Sequence, residues 1–124
     1  MHLALAFAYA AGSVICHQRP DRSFFWMGLQ LPVCARCTGL YASAAMTMVM
    51  WWGARMLTRS APLAFTPANA LRMLSIAAVP TAASWLSGVL GVWDGSNLTR
   101  ALLAIPLGCS AGAVVAAVST KDLR

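Results

Sequence analysis

The chain has 124 residues, of which 60% are hydrophobic and 10% are charged, and its formal net charge is +6. Soluble domains are roughly half apolar and about a quarter charged, so this composition excludes an ordinary soluble protein and indicates one integral membrane domain over residues 1–124. The nine Lys and Arg residues are scattered between apolar blocks, which argues against nucleic-acid binding and favours contact with the lipid bilayer.

An apolar segment runs from His2 to Cys16 at the start of the chain. A helix of this length measures roughly 22 Å, which is shorter than the roughly 30 Å hydrocarbon core of a bilayer. The segment lacks the positively charged start of a secretory signal. We therefore interpret it as a retained helix that crosses the bilayer marginally or enters it part of the way.

The loop that follows, over residues 16–37, contains most of the reactive side chains. Cys16 and His17 close the first helix, and Cys34 and Cys37 form a C-x-x-C at the start of the next one, where the helix dipole favours thiolate. The segment SFFWMGLQLPV between them predicts a short hairpin or a re-entrant loop. Either fold would bring Cys16 near the C-x-x-C.

These residues support two kinds of chemistry. Three thiolates and one imidazole make a tetrahedral zinc set, so we predict a metal site of Cys16, His17, Cys34 and Cys37, with His17 as a ligand or as a hydrogen-bond partner of one. Alternatively, Cys34 and Cys37 are the redox pair of a thiol-disulfide oxidoreductase and Cys16 is its resolving thiol. A third hypothesis is an accessory subunit of a larger membrane complex, in which the cysteines only brace the loop.

Three arginines of this loop, Arg19, Arg22 and Arg36, are candidates for binding lipid phosphates or an anionic substrate. Neither a carboxylate pair nor a Ser-His-Asp set accompanies them, so hydrolase chemistry is unsupported.

Three further apolar blocks are long enough to be spanning helices. They are predicted over residues 38–57, 67–90 and 98–118. Thr66 and Asn97 are the expected N-terminal caps of the second and third of these helices. Together with the first segment they predict an all-α membrane bundle of three to four transmembrane helices, with the Cys/His loop between the first two.

Helix packing and orientation follow from smaller features of the sequence. Gly108 and Gly112 form a GxxxG pair suited to close helix contact, within the chain or with a partner, and Cys109 is expected to be an inert packing residue.

If all helices cross, one side of the membrane carries Arg19, Arg22, Arg36 and Arg100, and the other carries Arg55, Arg59, Arg72, Lys121 and Arg124. The larger group favours the cytoplasmic side, which would place the Cys/His loop outside.

The strings CHQRPDRSFF and PVCARCTGLY resemble the small predicted membrane proteins of domain-of-unknown-function family 2085. The resemblance continues more loosely through Pro80, Asn97, Arg100, Gly108 and Gly112. It implies a multi-pass membrane protein, which we expect in a prokaryotic inner membrane, and it implies no particular activity. Ser84 stands where an acidic residue is expected, so the resemblance does not extend to a proton-carrying role for that helix.

PVCARCTGLY is also similar in outline to the C-x-x-C helix start of disulfide bond formation protein B and the vitamin K epoxide reductases. That likeness implies electron transfer from thiols to a quinone. A quinone is expected only if the redox hypothesis holds. The chain departs from those proteins because its third interhelical loop, GVWDGSN, contains no cysteine.

Overall fold

The computed structural model describes residues 2–59 and 66–120, which form four helices and one two-stranded antiparallel sheet. The elements in chain order are α1 (His2–Ile15), a 3₁₀ turn (Pro20–Arg22), β1 (Ser23–Trp26), β2 (Leu29–Cys34), α2 (Ala35–Thr58), α3 (Pro67–Val89) and α4 (Asn97–Ser119). The predicted helical class is confirmed. The hairpin of β1 and β2 adds two strands to what the sequence predicts as all-α.

Side-chain caps set the starts of α3 and α4. Thr66 accepts a hydrogen bond from the backbone N–H of Asn69, at 3.3 Å, as predicted for the start of α3. The cap of α4 is Ser96, whose hydroxyl accepts from the N–H of Thr99 at 3.2 Å. The prediction of Asn97 as this cap is wrong by one residue, because Ser96 supplies the acceptor and Asn97 is already helical.

Helix α4 is the central helix of the bundle and packs against both α2 and α3. Glycines allow the closest approach between α2 and α4. A Cβ atom built on Gly108 would overlap the carbonyl oxygen of Leu40 and the hydroxyl of Ser43, and one built on Gly39 would overlap the backbone of Ala101. The two backbones are therefore in direct contact, which only a residue without a side chain permits.

Helix α1 packs against the hairpin. The hydroxyl of Tyr9 donates to the carbonyl oxygen of Gln30, and a Cβ atom on Gly12 would overlap the carbonyl oxygen of Pro32. The helix ends at Ile15, so Cys16 lies just beyond it rather than within it as predicted. Contact with β2 thus places the end of α1, and with it Cys16, next to the base of the hairpin.

Within residues 2–59 and 66–120, α4 is the one helix that is both long enough and apolar enough to cross a membrane. Helices α2 and α3 have similar lengths, with 24 and 23 residues, but polar side chains lower their apolar content. These include Arg36 and Arg55 in α2 and Arg72 in α3. Length and composition therefore do not support the predicted three to four spanning helices.

Candidate metal centre and the adjoining cavity

A tight turn folds the hairpin back on itself. Trp26 pairs with Leu29, and the two residues between them, Met27 and Gly28, have φ angles of 50° and 81°. Two consecutive positive φ values are typical of the turns that match the twist of a hairpin. Of the two predicted folds for this segment, the structure has the hairpin, and its strands return the chain from the end of α1 to the start of α2.

The hairpin brings three thiols together. The Sγ atoms of Cys16, Cys34 and Cys37 all lie within 4.8 Å of one another. Cys16 is buried, and its sulfur accepts a hydrogen bond from the backbone N–H of Cys34 at 3.2 Å. Cys34 ends β2, Cys37 lies in the first turn of α2, and Cys16 directly follows α1, so the cluster lies where these three elements meet. No disulfide links these cysteines, which are all free thiols.

Among the described groups outside the helices, the thiol of Cys34 has the most strongly shifted pKa, and the shift is downward. The side chain of Cys37 lowers the pKa of the Cys34 thiol to about 5, against the opposing effect of burial. The backbone N–H groups of Cys37 and Arg36, and the side chain of Cys16, lower it further. The lowered pKa favours the thiolate form of Cys34, which is the form that binds metals and attacks disulfides.

His17 and Cys109 lie outside this group of three thiols. His17 is exposed and lines a cavity next to Cys16 and Cys34, so its role as a zinc ligand or as a partner of one stays a prediction. Cys109 lies on α4, among apolar residues that include Met46 and Ile105.

Asp94, in the loop before α4, joins two arginines that are far apart in the sequence. Its carboxylate pairs with Arg100 and, at 3.3 Å, with Arg22. Arg100 is nearly buried, with 10% of its side chain exposed, and also donates to the Asn97 side chain at 2.9 Å. The hydrogen bond from Arg100 holds the pKa of Asp94 below its usual value. Asn97 in turn donates to the carbonyl oxygen of Ser23, at 3.1 Å, which ties α4 to the hairpin.

The other loop arginines have different partners. Arg19 pairs with Asp21 at 3.3 Å on the exposed surface. Arg36 donates to the hydroxyl of Ser84, which is buried on α3, at 3.2 Å. The three arginines predicted to bind an anion therefore lie at the same end of the molecule as the thiols, and all of them line the cavity.

The family of the chain follows from its sequence. The profile of domain-of-unknown-function family 2085, described as a predicted membrane protein, matches residues 16–114. The chain belongs to this family. The matched region begins at Cys16 and includes all three thiols, the hairpin and most of the three long helices.

Two relatives are similar to this member of family 2085. An uncharacterised protein of Methanothermobacter thermautotrophicus is 32% identical over 110 residues, which cover 89% of this chain and 87% of the relative. An uncharacterised protein of Methanocaldococcus jannaschii is 49% identical over 43 residues, which cover 35% of this chain and only 28% of that longer relative. No solved structure matches the chain.

The cavity beside the thiols in this family 2085 member is lined mainly by polar and ionisable side chains. It has a volume of about 280 Å³, and Cys16, Cys34 and His17 contribute to its wall together with four arginines. Sequence reasoning singled out three of these arginines and missed the local role of Arg100. The available signal was Asp94, one of only three acidic residues in the chain, which lies six residues before it.

Proposed function

We propose that this membrane protein binds one zinc ion through the thiolates of Cys16, Cys34 and Cys37. The observation that carries the proposal is the convergence of three sulfur atoms within 4.8 Å. In a tetrahedral site with Zn–S bonds of about 2.3 Å the sulfurs lie roughly 3.8 Å apart, so binding requires an inward shift of at most about 1 Å. Thiolate ligands favour zinc over magnesium or calcium.

The fourth zinc ligand would come from the side of the cavity, because Cys16 and Cys34 both line it. His17 lies on the same wall and is the protein ligand available there. A site closed by His17 would be structural and would fasten the hairpin to α2, whereas a site left open to the cavity would suit metal handling.

The proposal includes a membrane setting in which α2 and α3 cross the bilayer together with α4. Helices of 23 or 24 residues measure about 35 Å, which exceeds the roughly 30 Å hydrocarbon core. The charged residues of α2 and α3 lie within a few residues of helix ends, where long side chains reach the interface. Large apolar side chains point outward between those ends, including Val49, Met50, Ile76 and Val79.

The proposal is tested by elemental analysis of protein purified in a mild detergent without chelators. We expect about one zinc per chain in the wild type and loss of the zinc in Cys34→Ser. Cys109→Ser is the matched control, because it removes a thiol outside the cluster, and should keep the zinc. If Cys34→Ser retains full zinc, or if the wild type binds no metal, the proposal fails.

A His17→Ala variant in the same experiment separates a closed site from an open one. Loss of a ligand, or of its hydrogen-bond partner, weakens metal binding by about tenfold or more, so zinc should then be released faster to a chelator. Release at the wild-type rate would indicate that the cavity supplies the fourth ligand.

The redox alternative is supported by the close approach of the free thiols of Cys34 and Cys37, with the pKa of Cys34 lowered. In that function Cys34 and Cys37 would form a disulfide, with Cys16 as the resolving thiol and a quinone as the electron acceptor. Metal-free wild-type protein, with two thiols that become reactive only after reduction, would favour it over zinc binding.

A further inference from the structure

The arginines around the cavity exceed the carboxylates that neutralise them. Four arginines line it, namely Arg19, Arg22, Arg36 and Arg100. The nearby acids in the described ranges are Asp21, which pairs with Arg19 and Arg22, and Asp94, which pairs with Arg22 and Arg100. Even if three thiolates held a zinc ion, their single net negative charge would leave the cavity positive.

Among the four arginines of the cavity, Arg36 is the one without a carboxylate partner within the described ranges. In the part of the chain that the structure describes, no carboxylate lies within ion-pair distance of it, and its Nη2 atom donates only to the neutral hydroxyl of Ser84. Its Nε atom is buried and has no hydrogen-bond partner among those residues. The Nε atom of Arg22 is buried without a hydrogen-bond partner among them as well. A charged donor without an acceptor is unfavourable, so a small turn of either guanidinium toward an anion in the cavity would relieve this cost.

We propose that this cavity binds a phosphate group, with Arg36 as its principal anchor and Arg22 and Arg100 as flanking cations. A guanidinium can donate two parallel hydrogen bonds to a phosphate, and Arg36 lines the cavity without a described carboxylate to compete for them. The volume of about 280 Å³ leaves room for the group that carries the phosphate. The phosphate is either a free ion or the headgroup of a phospholipid, since the cavity lies at one end of an apolar helical bundle.

The site goes beyond the metal centre and does not depend on it. The arginines carry the proposal, and they would remain at the cavity whether or not the thiols hold zinc. Two variants separate the roles of the two groups. Arg36→Gln removes the anchor, while Ser84→Asp keeps Arg36 and places a carboxylate at the position of its present hydroxyl partner, where it would compete with an external anion.

The first measurement is equilibrium dialysis of the delipidated protein, in a non-ionic detergent at low salt, against radiolabelled inorganic phosphate. We expect saturable binding of about one phosphate per chain, weakened by roughly tenfold or more in Arg36→Gln and in Ser84→Asp. The matched control is Arg72→Gln. Arg72 is exposed on α3 and lies about 18 Å along the helix from Ser84, so its removal should leave binding unchanged.

The second measurement distinguishes the source of the phosphate. Native mass spectrometry is performed on protein reconstituted with phosphatidylglycerol. Retention of one lipid by the wild type and by Arg72→Gln, but not by the two cavity variants, would assign the site to a headgroup even if inorganic phosphate does not bind. Binding of inorganic phosphate alone would assign it to the free ion.

The proposal is overturned if neither probe binds to the wild type, or if Arg36→Gln and Ser84→Asp both bind like the wild type. Zinc content and melting temperature are measured on every sample. If Arg36→Gln does not fold, Ser84→Asp alone tests whether phosphate binding depends on a free Arg36 guanidinium. A wild type that holds zinc but binds neither phosphate probe shows that only the phosphate proposal has failed, and a wild type that binds phosphate but holds no zinc shows that only the zinc proposal has failed.

Discussion

Asp94 is the residue that neutralises the nearly buried charge of Arg100. Its carboxylate is 49% exposed, whereas only 10% of the Arg100 side chain is. In Asp94→Asn, Arg100 would keep its hydrogen bond to Asn97 but lose the negative charge that neutralises it. Arg22 would lose its ion-pair partner in the loop before α4. We expect a lower melting temperature, measured by intrinsic tryptophan fluorescence in detergent. Asp21→Asn is the control, because its exposed ion pairs contribute little to stability.

The pH dependence of this effect has a definite sign. Arg100 holds the pKa of Asp94 below its ordinary value of 3.8, so folding favours the charged carboxylate. The stabilisation is complete above that value and is lost as the pH falls through the lower folded pKa. The melting temperatures of wild type and Asp94→Asn should therefore converge below about pH 4. A difference that stays constant down to pH 3 would contradict the ion-pair explanation.

At the level of single residues, the local part of the site was predictable and the long-range part was not. The pattern of Cys16 before a hairpin and of Cys34 and Cys37 at a helix start was enough to predict that these thiols meet. The pairing of Arg22 with Asp94 joins residues 72 positions apart, and no sequence periodicity encodes it. It arises because the ends of α1 and α3 and the starts of α2 and α4 meet around the cavity.

At the level of elements, the contact between α2 and α4 depends on missing side chains. Gly108→Ala would force a methyl group into the backbone of α2 near Leu40, and such overpacking costs about 1–3 kcal/mol. Gly53→Ala makes the same change on α2 where the new methyl group meets no atom within 4 Å. Alanine is the better helix former, so Gly53→Ala should stabilise by roughly 0.5–1 kcal/mol.

Chemical denaturation in detergent, followed by circular dichroism, measures both substitutions. Opposite signs for the same glycine-to-alanine change would show that the close approach, and not general helix propensity, decides the outcome. Equal stabilisation by both variants would mean that α2 and α4 are farther apart than described.

Helix positions were predictable to within three residues, because length, caps and polar interruptions are local features. The start of α2 was placed at Thr38, yet the helix begins at Ala35, since the C-x-x-C forms its first turn instead of preceding it. Which helices contact each other was not predictable in the same way. The central position of α4 results from small buried residues such as Ala104 and Ala116, which resemble ordinary apolar positions in the sequence.

Considered as a whole, the molecule has two chemically different ends. The hairpin end carries the thiols, the cavity and its four arginines, and it includes the loop that precedes α4. The other end carries Arg55 and Arg59 at the end of α2, with Arg72 near the start of α3. For the described arginines this separation agrees with the division predicted from the sequence, whereas Lys121 and Arg124 lie outside the described residues. Because the two ends differ, labelling them can test whether the helix between them crosses the bilayer.

That test is cysteine labelling at the two ends. Val92→Cys lies in the loop before α4 and Leu57→Cys lies one residue before the end of α2, and both native side chains are exposed. A membrane-impermeant maleimide is added to intact cells and to lysed cells. The wild-type chain is treated in the same way, to measure the reaction of its native thiols.

If the helices cross, one variant should react in intact cells and the other only after lysis. The bias of positive residues toward the cytoplasm predicts that Val92→Cys is the outward one. Reaction of both variants, or of neither, in intact cells would exclude a crossing by α3, the helix that lies between the two positions.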